Sequence, residues 1–271
     1  MIRRTIQDVA FEHLCSSREL AGADVLDVGS FEDELALRIS GRGARVTGLD
    51  LFPVDAENGI HHVRHDLDTG RLPFRDESFD ALVSTEVLEH LRAPYLVLPE
   101  MVRILRPGGV LILTIPNYWN LRYRLRYLFT GGFQRPVVDL PIAREAYALG
   151  LAPHVNAIPY AVLRMILTWE GCGEFRTAHR NLFPWYRLLA YAPIIAAVKV
   201  ATYGVGSARR ADGFLREANG RSALLGARHV LVACRKVGRP IRPPHAEPAT
   251  LADIQALIRR HEASAPEQGA G

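Results

Sequence analysis

The stretch VLDVGSFEDELALRISGRGARVTGLD, residues 25–50, constrains this chain more than any other. A short apolar run closes on Asp27 and Gly29, a helix-like segment follows, and a second apolar run closes on Asp50. Strand, turn, helix and strand in that order form the crossover unit of a parallel sheet, here with a carboxylate at the tip of each strand. In open α/β sheets, ligands bind beyond the carboxyl ends of the strands. Glycine at the first tip lets a ligand approach the backbone, and an acid at the second can accept both hydroxyls of a ribose. The unit therefore predicts a nucleoside-binding pocket.

The turn also argues against some ligands. A dinucleotide site uses G-x-G-x-x-G, whose glycines make room for a pyrophosphate at the helix N-terminus. Here Gly29 is followed by Ser30, Phe31, Glu32, Asp33 and Glu34. Three acids suit the positive end of a helix dipole, each by about 0.3–1 kcal/mol, and repel a phosphate. NAD and FAD are disfavoured on that ground. Asp27 suits a ligand with a cationic group, such as the amino acid end of S-adenosylmethionine.

Further motifs follow in order: LPF…SFD at 72–80, EVLEHL at 86–91 and LRPGGVLILTIPN at 105–117. With LDVG at 26–29 and GLD at 48–50, they resemble the class I S-adenosylmethionine-dependent methyltransferases. The resemblance is to the type 11 group, which includes ubiquinone-biosynthesis-like O-methyltransferases, and it covers about residues 23–117. It implies a Rossmann-like α/β fold with a mostly parallel seven-stranded sheet, helices on both faces and two lid-like insertions. It also implies that Asp27, Gly29 and Ser30 line the methionine end of the cofactor. Asp50 then takes the ribose diol with Leu51 also at the cofactor, Asp66 and Leu67 flank the adenine, and Ser84 and Thr85 close over the cofactor. Phe31 and Asp33 stand where the family often has glycine, an expected narrowing of the loop.

Strands are expected near 24–28, 45–49, 60–64, 79–84, 110–115, 174–179 and 228–235, with helices near 5–20, 33–40, 94–105 and 155–170. Pro107-Gly108-Gly109 reads as a tight turn. The reading divides the chain into an N-terminal helix (1–22), a methyltransferase domain (23–237) and a Pro-rich linker with a tail (238–271), the tail carrying a short helix near 249–262. Two insertions, 117–153 and 181–224, interrupt the domain.

Both insertions follow strands whose tips face the cofactor, so they are expected to govern the acceptor. The first interleaves Arg122, Arg124, Arg126 and Arg135 with Tyr118, Trp119, Tyr123, Tyr127, Phe129 and Phe133. It reads either as a lid for an anionic, sugar-like or lipid head group, or as an amphipathic helix with a solvated arginine face. The second holds LLAYAPIIAAVKVATYGVG, residues 188–206, with one charge, Lys199, and an interior Pro193. A buried cap, a membrane-surface contact through 182–206 and a true span all remain open from the residues.

The acceptor is expected to be a small molecule, a lipid-linked precursor or a glycan, methylated on oxygen. Nitrogen, carbon or RNA acceptors are the alternatives, as is a non-catalytic cofactor-binding regulator. A hydroxyl acceptor needs a base, and the candidates are His154, His90 and Glu89. His61, His62 and His65 cluster near the third strand without supporting carboxylate spacing, so no metal is expected there. Net charge is +4, with 33 basic residues of which only Lys199 and Lys236 are lysines. That arginine bias is not clustered as a nucleic-acid footprint would be. Three scattered cysteines and a charged N-terminus without an apolar leader core point to the cytoplasm.

Overall fold

The computed structural model describes residues 5–31, 33–52, 58–132, 154–179, 192–197, 200, 226, 228–241 and 255–256. Seven strands form one sheet: β1 (Asp24–Val28), β2 (Arg45–Asp50), β3 (His61–Arg64), β4 (Phe79–Thr85), β5 (Leu105–Pro116), β6 (Cys172–His179) and β7 (His229–Lys236). Their order is β3-β2-β1-β4-β5-β7-β6, and only β7 runs antiparallel to its neighbours. This is the expected mostly parallel seven-stranded Rossmann-like sheet.

Both faces of the sheet are buried, which is why its central strands read as continuous apolar runs rather than alternating ones. On one face α1 (Ile6–Ser17) and α2 (Glu34–Ser40) pack Ile6, Val9, Leu14, Leu35 and Ile39 against Val25, Val83 and Ile112. On the other, α3 (Pro94–Arg103) and α5 (Tyr160–Trp169) pack Val97, Met101, Tyr160 and Leu163 against Leu26, Leu82 and Leu111. Alternate residues of each strand thus serve opposite cores. The Thr5–Asp8 capping box starts α1. At the amino ends of the strands, Asp24 and Asp80 bind Arg106, with Arg45 on Asp24 and Arg18 on Asp80. This ion network lies at the edge opposite the strand tips.

Two boundaries differ from expectation by about five residues, the others by three or fewer. β5 begins at Leu105 rather than Val110, because Leu105 already pairs with Phe79 before the ladder resumes at Ala81–Val110. Residues 106–109, holding the expected Pro-Gly-Gly turn, are looped out between them. The helix expected from 155 begins at Tyr160, after Pro159 at its N-cap. Proline disfavours helical backbone in the residue before it. Residues 154–156 instead lie outside any helix or strand and are clamped, with Val155 N and Asn156 N donating to the Glu89 carbonyl at 3.0 and 3.2 Å.

The first insertion opens with α4 (Leu121–Thr130), capped by Asn120. The Asn120 amide donates to the Gly226 carbonyl, and Asn117 N donates to Arg228 O at 2.6 Å, tying the root of this insertion to the start of β7. Of the second insertion, residues 192–197 are helical. Arg135, Phe133 and Lys199, and all but two residues of the tail-helix expectation, lie outside the described residues. Among the described residues, no helix is long and apolar enough to cross a membrane. Residues Met1–Arg239 form one compact unit and Pro240–Gly271 a second.

Candidate active site

The carboxyl ends of β1, β2 and β4 surround a cavity of about 500 Å³, lined by Gly29, Phe31, Asp50, Leu51, Asp66, Leu67, Thr85 and His90 among others. Six of the nine residues expected at the cofactor are therefore in its wall. The other three, Asp27, Ser30 and Ser84, are buried, each next in sequence to a wall residue or one removed from it.

Gly29 follows the last residue of β1 with φ 81°, and its N–H donates to Leu49 O at 2.8 Å. A Cβ at this position would lie 2.2 Å from Val87 Cγ2, so only glycine fits here while Val87 lines the same cavity. Asp50 ends β2 and accepts from Phe52 N at 3.0 Å. Its carboxyl titrates above its ordinary range, mainly through burial, with Asp33 adding to the effect. Burial, reinforced by Asp33 and Asp50, pushes Asp27 up to about 7. Three carboxylates thus share a small volume behind the first two strand tips. A cationic ligand beside them would relieve their mutual repulsion.

Asp33 does not enter that cavity wall. It sits in left-handed backbone (φ 52°), the conformation glycine adopts most easily. Its side chain accepts from Asn58 Nδ2 at 2.9 Å and lies 3.2 Å from His62 Nε2, toward β3. Phe31 is 59% exposed and stacks edge-on against Phe52 with ring centres 6.0 Å apart. The two departures from the family pattern are therefore a surface wall and a strut to β3. Of the three histidines near β3, His62 faces Asp33 and His65 Nε2 lies 2.6 Å from Arg71 O.

The expected catalytic residues come together after β4, where His154 meets the turn Leu88–His90 and His90 is in the cavity wall. Glu89, His90 and His154 each offer an atom that lies within 4.8 Å of the others'. The His90 and His154 rings meet edge to face at 4.7 Å. Glu89 is completely buried, neither carboxylate oxygen has a hydrogen-bond partner among the described residues, and burial raises it to about 7. Burial, helped by His90, lowers His154.

Two site residues escaped the sequence reading. Glu86 lines the cavity in left-handed backbone (φ 57°), with its N–H donating to Thr114 Oγ1 at 3.0 Å. Its carboxylate lies 2.9 Å from His229 Nδ1, and the His229 ring holds it below its ordinary range. Strained backbone of this kind concentrates at functional sites. Glu86 stood in the EVLEHL motif, three residues before Glu89, so its spacing was available. His229 had no local signal, because it reaches Glu86 only through the antiparallel β5–β7 pairing.

The strand order, the buried faces and the cavity at the strand tips define a Rossmann-like methyltransferase fold. Residues 26–113 match the family model described as a methyltransferase domain. The chain is 36% identical over 171 residues to a probable S-adenosylmethionine-dependent methyltransferase of Mycolicibacterium smegmatis, covering 61% of this chain and 62% of that protein. It is 32% identical over 125 residues to a ubiquinone biosynthesis O-methyltransferase of Xanthomonas euvesicatoria, covering 41% and 51%. Both alignments span less than two thirds of the relative's own length. A solved methyltransferase structure from Archaeoglobus fulgidus shares the fold at 15% identity and a TM-score of 0.53, covering 85% of this chain and 94% of that one. Residues 26–113 thus match a methyltransferase domain, and the chain is similar to S-adenosylmethionine-dependent methyltransferases over that region and beyond it.

Proposed function

We propose that this protein transfers a methyl group from S-adenosylmethionine to a hydroxyl of a small-molecule, lipid-linked or glycan acceptor. The observation that carries the reading is the cavity itself. Its wall holds a glycine bend and an acid at the tips of adjacent strands, together with His90, which belongs to a Glu-His-His cluster.

The residues present fit the cofactor by their chemistry. Asp50, at the cavity wall, has oxygens to accept from two ribose hydroxyls, while Asp27 and Asp33 supply negative charge toward a cationic amino acid end. Leu51 and Leu67 give apolar surface for a base, with Asp66 beside them. Ser30 and Ser84 carry buried hydroxyls without partners among the described residues, which suits a site completed by a ligand. The cofactor, when bound, supplies a methyl group on a sulfonium, an electrophile that needs no further activation.

The protein's remaining work is to place the acceptor in line and deal with its proton. Glu89, His90 and His154 are the groups we assign to the acceptor side, with the Glu86–His229 pair as a polar wall next to them. Oxygen is favoured over nitrogen by the 32% identity to a ubiquinone biosynthesis O-methyltransferase.

Calorimetry with S-adenosylmethionine and S-adenosylhomocysteine tests the first half of the proposal, and binding of neither defeats it. Mass spectrometry of products from paired hydroxyl and amine acceptors tests the second. Methylation confined to amines would overturn the oxygen assignment.

A further inference from the structure

We infer that Phe31, paired with Phe52, is a specificity-determining residue that holds the sulfonium form of the cofactor in preference to its demethylated product. The inference rests on the proposed methyltransferase site and deepens it, naming a residue of this chain that tells the two ligands apart.

Two strand tips set the position. Phe31 comes two residues after the Gly29 bend that follows β1, and Phe52 two residues after Asp50, the last residue of β2. Both phenylalanines line the cavity, and their rings meet edge to face with centres 6.0 Å and planes 77° apart. Phe52 N donates to the Asp50 carboxylate at 3.0 Å, which ties the pair to the acid assigned to the ribose. The pair therefore bridges the tip assigned to the amino acid end and the tip assigned to the ribose. In S-adenosylmethionine the sulfonium is the atom that joins those two parts.

An aromatic face carries negative charge density and attracts a cation within about 6 Å of the ring centre, whether the cation belongs to a side chain or to a ligand. The chain uses this contact elsewhere. Arg38 lies 4.4 Å from the centre of the Phe11 ring, and Arg164 lies 4.9 Å from that of Phe175. Among the described residues, no arginine or lysine lies over Phe31 or Phe52. Phe31 is 59% exposed while lining the cavity, so its ring is open to a partner the protein itself does not supply. Phe31 also stands where the resembled family often has glycine, which makes the ring this chain's own addition to the turn.

The two ligands differ at one atom. S-adenosylhomocysteine lacks the methyl group and is a neutral thioether at the sulfur, while its adenine, ribose and amino acid end are the same. Contacts to the shared parts cancel in the ratio of the two affinities, and the charge on sulfur does not. Asp27, Asp33 and Asp50 also favour the cation, but they do so in the parent and in a Phe31 variant alike. The change in the ratio on replacing Phe31 therefore reports the ring. A ring that only fills space, or that stacks on the adenine, shifts both affinities together.

The test is calorimetry on the full chain, with S-adenosylmethionine and S-adenosylhomocysteine each titrated into the parent, Phe31→Leu and Phe31→Trp. Leucine keeps an apolar side chain and removes the aromatic face, and the exposure of Phe31 leaves the core untouched by either change. In Phe31→Leu, the affinity for S-adenosylmethionine relative to S-adenosylhomocysteine should fall about 2–30-fold, the range from an exposed to a desolvated cation–ring contact. Phe31→Trp should keep or raise that ratio, because indole is the better partner for a cation. The inference is overturned if the ratio is unchanged in Phe31→Leu, or if Phe31→Trp loses it as leucine does. Binding of both ligands with an unchanged ratio sinks this inference alone. Binding of neither ligand to the parent sinks the methyltransferase reading, and this inference with it.

Discussion

Gly29→Ala is the most exacting probe of the first strand tip, because two separate costs can be worked out for it. The first is conformational: Gly29 has φ 81°, and an L-residue in left-handed backbone costs about 1–2 kcal/mol. The second is steric, since the new Cβ falls 2.2 Å from Val87 Cγ2. Valine is stiff at χ1 and is packed against the core, so relief requires displacement, with overpacking of this kind costing about 1–3 kcal/mol. The sum is about 2–5 kcal/mol. Truncating the neighbour separates the two parts. In Val87→Ala the offending Cγ2 is gone and the remaining Cβ lies at an ordinary 3.6 Å. The cost of Gly29→Ala in that background should fall to the conformational part, about 1–2 kcal/mol. Urea denaturation of the four proteins in this cycle gives a coupling of about 1–3 kcal/mol. A coupling below about 0.5 kcal/mol would refute the claim that Val87 forbids a side chain at the bend.

Further expectations concern the acids behind the cavity. Asp27 is raised to about 7 in the folded chain, so the native state holds its proton over a pH range where the unfolded chain has released it. Stability without cofactor should therefore fall as pH rises from about 4 to 7, by up to about 4 kcal/mol from this group. Asp27→Asn should flatten that dependence in thermal melts, and an unchanged slope would remove Asp27 as its source. Asp50→Ala should weaken S-adenosylhomocysteine binding about 10–100-fold in calorimetry, the effect of losing hydrogen bonds to a charged acceptor. Asp33→Gly removes the bond from Asn58 and relaxes φ 52° at once. Thermal stability should thus change by less than about 1 kcal/mol, the two effects being of similar size and opposite sign. A loss of affinity matching that of Asp50→Ala would place Asp33 inside the cofactor site after all.

Much of the architecture was legible because its signals are local. Val25–Leu26, Ala81–Val83 and Val110–Leu113 are apolar on both faces, as only strands covered by helices on each side need to be. The acids at 27 and 50 mark strand tips because polar residues interrupt those runs only where the sheet opens to a ligand. The Pro107-Gly108-Gly109 turn was visible for the same kind of reason, yet not that β5 pairs through it from Leu105, since that depends on Phe79 in another strand. Pro159 shows how a local rule competes with periodicity: the apolar spacing of 155–170 suggests one helix, and a single ring delays it to Tyr160.

What the chain alone determined is the pattern of strands, helices and tips, because period, turn chemistry and apolar runs act over a few residues. It also named Glu89, His90 and His154 separately. Only the tertiary structure decided that these three converge, that His229 reaches Glu86, and that Asp33 turns toward His62 rather than into the cavity. Those facts depend on which strands become neighbours and on a backbone clamp between residues more than sixty positions apart. Pairings at such separation are selected by burial of the whole sheet, and no short stretch of sequence records them.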